Sequence, residues 1–64
     1  MKRQKLLDYL NDNNCYLKRE GKRHSIVLNV INGKSTTIPR HPDINDYTVD
    51  DICKQLEIPR MKTR

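Results

Sequence analysis

Two histidines, His24 and His41, are the side chains of this sequence best suited to moving protons near neutral pH. Each stands in a basic setting. His24 directly follows Lys22 and Arg23, and His41 directly follows Arg40. An imidazole that transfers a proton, beside cations that hold phosphate oxygens, is the minimal equipment for cleaving a phosphodiester. Attack by a ribose 2′-OH would confine such cutting to RNA, because DNA lacks that group. The plainer alternative is that His24 packs at the rim of a core and that His41 belongs to a turn that ends a sheet.

Other chemistries find little purchase. Cys15, His24, His41 and Cys53 lack the close pair spacing of zinc sites. No carboxylate cluster suits a two-metal nuclease, since Asp50 and Asp51 read as residues that start a helix. Gly21 and Gly33 are the only glycines, so there is no phosphate-cradling loop. No nucleophile turn of a serine hydrolase is present. No metal, cofactor or small-molecule ligand is expected.

The charge pattern supports a polyanionic partner. The net formal charge is +5, and it is unevenly spread. Residues 13–42 carry Lys18, Arg19, Lys22, Arg23, Lys34 and Arg40 against Glu20 alone. Residues 43–57 carry Asp43, Asp46, Asp50, Asp51 and Glu57 against Lys54 alone. A basic middle suits RNA, and an acidic segment suits solvent or a basic partner.

The elements that must position these residues fit one small domain. The 64 residues are read as a single domain over 1–64, with an ordered core over about 3–58 and a basic tail over 59–64. Phe and Trp are absent, so leucines and isoleucines must supply the core. Cys15 and Cys53 lie among apolar residues and read as small hydrophobes. The basic start has no apolar run behind it, so neither a signal peptide nor a membrane span is expected, and the location read is cytoplasmic.

Leu6, Leu7 and Leu10 form one stripe of a first helix over Lys2–Asn11, with Arg3 and its neighbours on the solvated face. Cys15–Arg19, Ser25–Ile31 and Lys34–Ile38 read as strands, the last two joined through Asn32-Gly33 as a two-residue turn. The alternation of the second strand puts His24, Ile26, Leu28 and Val30 on the core face. Pro39 closes the third strand. Thr48 and Asp51 resemble a capping box, with Tyr47 stapled onto Ile52. Val49, Ile52, Cys53 and Leu56 form the stripe of the last helix. The fold class is therefore α+β in the order α-β-β-β-α, a three-stranded antiparallel sheet with two helices on one face.

Three stretches carry a family resemblance. They are Cys15 to Ile26, Thr36 to Pro42 with its Pro39-Arg40-His41-Pro42 run, and Ile52 to Ile58. Together they resemble the HicA toxins, bacterial or phage mRNA endoribonucleases of type II toxin–antitoxin pairs. The resemblance implies a fold like that of double-stranded-RNA-binding domains. It also implies a catalytic histidine opening the second strand, which falls on His24. It implies an mRNA substrate and a HicB-type antitoxin that covers the site. Lys22, Arg23, Arg40 and His41 are then the candidate RNA contacts.

This chain departs from the family pattern at four places. Lys22-Arg23 replaces Gly-Ser before the histidine. Asn14 and Glu57 stand where glycine is common. The loop after His41 is acidic.

One histidine cannot make both proton transfers at once, which leaves water, a lysine or His41 for the second. The rival readings are a non-catalytic RNA-binding module and an inactive toxin-like interaction protein. A double-stranded-RNA binder presents lysines at the start of its last helix, whereas this chain has Thr48-Val49-Asp50-Asp51 there.

Overall fold

A computed structural model describes residues 1–60. The elements run α1 (Arg3–Asp12), β1 (Cys15–Glu20), β2 (His24–Asn29), β3 (Ser35–Pro39) and α2 (Asp46–Leu56). The strands form one antiparallel sheet in the order β1-β2-β3. The α+β class and the α-β-β-β-α order are thus as the sequence indicates. Both helices lie on the same face of the sheet. Leu6 and Leu10 of α1, Cys15, Val27 and Ile38 of the strands, and Val49, Ile52, Cys53 and Leu56 of α2 share one buried cluster with Ile44. Among the described residues no helix is long and apolar enough to cross a membrane.

The facing of β2 reverses the expected one. Ser25, Val27 and Asn29 point to the helices and are buried, while His24 is exposed and Ile26 and Leu28 are half-buried on the open face. The apolar alternation misleads because the two inward polar side chains are fully served. Ser25 Oγ accepts from Arg3 Nη2 and donates to Glu20 Oε1. Asn29 Nδ2 donates to the Leu56 carbonyl at the end of α2, and its Oδ1 accepts the Ile31 N–H. A buried polar group with its partners in place costs little. The open face also gives Leu28 the neighbour Tyr16, directly across the β1–β2 ladder.

The termini of the elements differ from expectation in three ways. The β2–β3 connection is not a two-residue turn. The Asn29 N–H bonds the Lys34 carbonyl and the Gly33 N–H bonds the Asn29 carbonyl, each at 2.8 Å, so Val30–Gly33 form the loop. Gly33 supplies the one left-handed conformation it needs, at φ 77°. The last helix begins earlier than a Thr48 cap would allow. Asn45 is the N-cap, its Oδ1 accepting from the Thr48 N–H at 2.8 Å. Tyr47 consequently lies inside the first turn and is 85% exposed, and Ile44 enters the core in its place.

Of the expected tail, Pro59 and Arg60 are held. The Tyr9 hydroxyl donates to the Pro59 carbonyl at 2.6 Å, and Arg60 Nε lies 3.4 Å from Asp50 Oδ1. Residues 61–64 lie outside the described residues.

Among the described residues, two positions take a left-handed backbone without glycine: Asn14 at φ 65° and Glu57 at φ 57°. They are two of the four places where the chain departs from the family pattern. Asn14 turns the chain from α1 into β1. Glu57 ends α2, with its N–H on the Lys54 carbonyl and the Ile58 N–H on the Cys53 carbonyl.

Candidate active site

The β1–β2 hairpin carries the first wall of the site. Its tip holds Lys22 and Arg23, and the Gly21 N–H closes the turn on the His24 carbonyl at 2.8 Å. Glycine suits position 21 because of this close approach. A Cβ there would stand 3.0 Å from the His24 carbonyl oxygen. His24 is the first residue of β2 and pairs with Pro39, the last residue of β3.

The second wall is the segment that leaves the sheet there, Arg40 and His41, bounded by Pro39 and Pro42. Two prolines restrict φ on either side of it. The walls are tied directly, because Arg40 Nη1 donates to the Gly21 carbonyl at 2.9 Å.

Lys22, Arg23, His24, Arg40 and His41 together line one cleft of about 410 Å³. The structure therefore brings all five sequence-predicted residues to one place, although 16 positions separate His24 from Arg40. Among the described residues, no carboxylate lines the cleft. All five residues are exposed, so the cleft opens to solvent instead of sheltering His24 at the core rim. Among the described residues, neither imidazole and neither head group of Lys22 and Arg23 has a hydrogen-bond or ion-pair partner in the protein. Such a surface offers donors and positive charge to an anion that approaches from outside. Also among the described residues, no group of three His, Cys, Asp or Glu side chains is placed to hold a metal ion.

Four further residues support the site and are not among its sequence-predicted residues: Arg3, Glu20 and Ser25 on the helix side of the sheet, and Gly21 in the hairpin turn. Arg3 is assigned by its helix pattern to the solvated face, yet its guanidinium turns inward to Ser25, Glu20 and Pro39. The signal that could have found this network is the shared parity of Ser25, Val27 and Asn29. A polar residue at each end of an inward-facing row calls for partners.

The conformation of β1 is part of the same arrangement. The ladder pairs Leu17 with Val27 and Arg19 with Ile26, so Lys18 is an extra residue in a bulge. The bulge places Glu20 opposite Ser25. In an unbroken register Arg19 would stand opposite Ser25, facing Arg3 with like charge.

Comparison with curated proteins and with solved structures gives no match. Comparison with known families does. Residues 3–58, the span from the first residue of α1 to the residue after the left-handed turn, match the family described as the HicA toxin of bacterial toxin–antitoxin systems. The family implies a toxin whose partner is an antitoxin. With both loops of the cleft and all five elements inside the matched span, this chain belongs to the HicA toxin family.

Proposed function

We propose that residues 1–64 act as one domain, a metal-independent endoribonuclease that cleaves mRNA at the cleft between the β1–β2 hairpin and the Arg40–His41 segment. The observation that carries this reading is the convergence of Lys22, Arg23, His24, Arg40 and His41 on one cleft, with no carboxylate beside them among the described residues. His24 takes the proton of the ribose 2′-OH as that oxygen attacks the adjacent phosphorus. The 5′ oxygen leaves with a proton, and the product carries a 2′,3′-cyclic phosphate. His41, on the other wall of the cleft, is the side chain at hand for that second transfer. Lys22, Arg23 and Arg40 hold the phosphate oxygens as negative charge grows on them. A HicB-type antitoxin would inhibit the enzyme by covering this cleft, as the family's pairing suggests. A cytoplasmic location goes with an mRNA substrate.

The test compares wild type with His24→Ala on matched RNA and DNA oligonucleotides in EDTA. Wild type is expected to cut RNA to cyclic-phosphate ends and to leave DNA intact. His24→Ala is expected to lose about 10²-fold or more of the rate, the usual contribution of a general acid or base. Equal cutting by His24→Ala would overturn the assignment. So would activity lost in EDTA and restored by a divalent cation.

A further inference from the structure

We infer that Arg3 is the positioning residue of the cleft, a clamp behind the sheet that fixes the spacing of its two walls. This rests on the phosphodiester-cleaving reading above. Arg3 opens α1, far in sequence from both walls, and its side chain is 19% exposed. It reaches each wall through separate atoms. Toward the first wall, Nη2 donates to Ser25 Oγ at 2.8 Å and lies 3.5 Å from Glu20 Oε1. Ser25 directly follows His24, and Glu20 directly precedes Gly21. Toward the second wall, Nε donates to the Pro39 carbonyl at 3.2 Å and the backbone N–H donates to the Pro42 carbonyl at 2.9 Å. Those two carbonyls bracket Arg40 and His41.

The clamp lies on the helix side of the sheet, opposite the face that carries His24. Ser25 is fully buried and faces the helices, whereas His24 faces the open side of the sheet. Arg3 therefore acts through the backbone on which His24, Arg40 and His41 ride. A planar guanidinium suits this task because its donors point in fixed directions to several acceptors at once. The N-terminal residues extend the tie. The Met1 amine donates to the Ile44 carbonyl at 2.9 Å, and the Ile44 N–H bonds the Met1 carbonyl at 2.7 Å. The loop after His41 is thus fastened to the N-terminal segment at Met1 as well as at Arg3.

The experiment uses full-length wild type, Arg3→Gln, Arg3→Lys and Ser25→Ala. It measures three things: the single-turnover rate on an RNA oligonucleotide, binding of the same sequence made with 2′-O-methyl riboses, and backbone amide NMR spectra. Arg3→Gln is expected to cut roughly 10- to 100-fold more slowly, the scale of a small misplacement of reacting groups. Its binding should change by less than about three-fold, because the phosphate contacts remain. Amide shifts should move at residues 21–25 and 39–42 together. Arg3→Lys should recover only part of the rate, since one ammonium cannot reproduce the fork. Ser25→Ala should show a smaller loss of the same kind. Wild-type rates and spectra in Arg3→Gln and Ser25→Ala would overturn the inference. Equal losses of rate and binding would also overturn it, since they mark general destabilisation. If Arg3→Gln does not fold, Ser25→Ala decides. If wild type cuts no RNA, the catalytic reading fails, and joint movement of the two amide groups still decides whether Arg3 holds both walls.

Discussion

Arg40 and Gly21 meet across the mouth of the cleft, Nη1 to carbonyl oxygen at 2.9 Å, so a residue read as an RNA contact is also a strut between the two walls. The two roles separate by substitution. Arg40→Ala removes both. It should slow RNA cutting roughly ten-fold or more. It should also make the slope of log binding constant against log salt shallower by about 0.7, the share of one phosphate contact on a single strand. Arg40→Lys keeps the charge and loses the directed bond, so the salt slope should stay while the rate falls. Titrations at several salt concentrations, beside single-turnover rates, check both. An unchanged slope in Arg40→Ala would remove Arg40 from the RNA contacts.

Glu57 takes a left-handed backbone at φ 57°, a conformation that costs a non-glycine residue about 1 kcal/mol. Its carboxylate lies 3.8 Å from Lys34 Nζ, but both side chains are more than half exposed, and such pairs contribute about 0–1 kcal/mol. Glu57→Gly should therefore stabilise the fold by about 0.5 kcal/mol and raise Tm by a few degrees. Thermal unfolding followed by circular dichroism measures this. A lowered Tm, with Lys34→Ala matching wild type, would show that the left-handed turn stores no strain.

Burial is the main force that pushes the Cys15 thiol above its ordinary value, and the neighbouring Cys53 adds to it. Burial likewise leads in raising the Tyr9 phenol, again with help from Cys53. A group whose folded pKa is raised contributes stability that is intact below its unfolded pKa. That stability is lost as pH climbs toward the folded value. For Cys15 the loss begins near the ordinary thiol pKa of about 8.5. Urea midpoints should therefore fall between roughly pH 8 and pH 10, and less steeply in Cys15→Ala, even though that variant starts lower at pH 7. Parallel slopes in the two proteins would mean that the thiol does not ionise in this range.

Much of the fold is legible in the order of residues because it rests on local periodicity. Leu6 and Leu10, then Val49, Ile52, Cys53 and Leu56, recur at helical spacing and are all buried. Val27 and Ile38 lie in β-rich runs and reach the core as strand residues should. Where local rules compete, longer-range partners decide. Thr48 and Asn45 both suit a helix start, and Asn45 takes it because Ile44 must enter the core just before it. Asn32-Gly33 suits a tight hairpin, and a longer loop forms because Asn29 and Asn32 both donate to the Leu56 carbonyl at the end of α2.

The sequence by itself determined the element order, the family and the five residues of the cleft. Each of these depends on residue type, spacing or neighbours in the chain. Only the tertiary structure decided which face of β2 carries His24, that Arg40 bonds Gly21, and that Arg3 stands behind both walls. The physical reason lies in the polar groups. An apolar residue needs only to leave water, and its periodicity shows where it will go. A buried polar group needs a particular partner, and Ser25 finds Arg3 across 22 positions of chain, where no local pattern reaches.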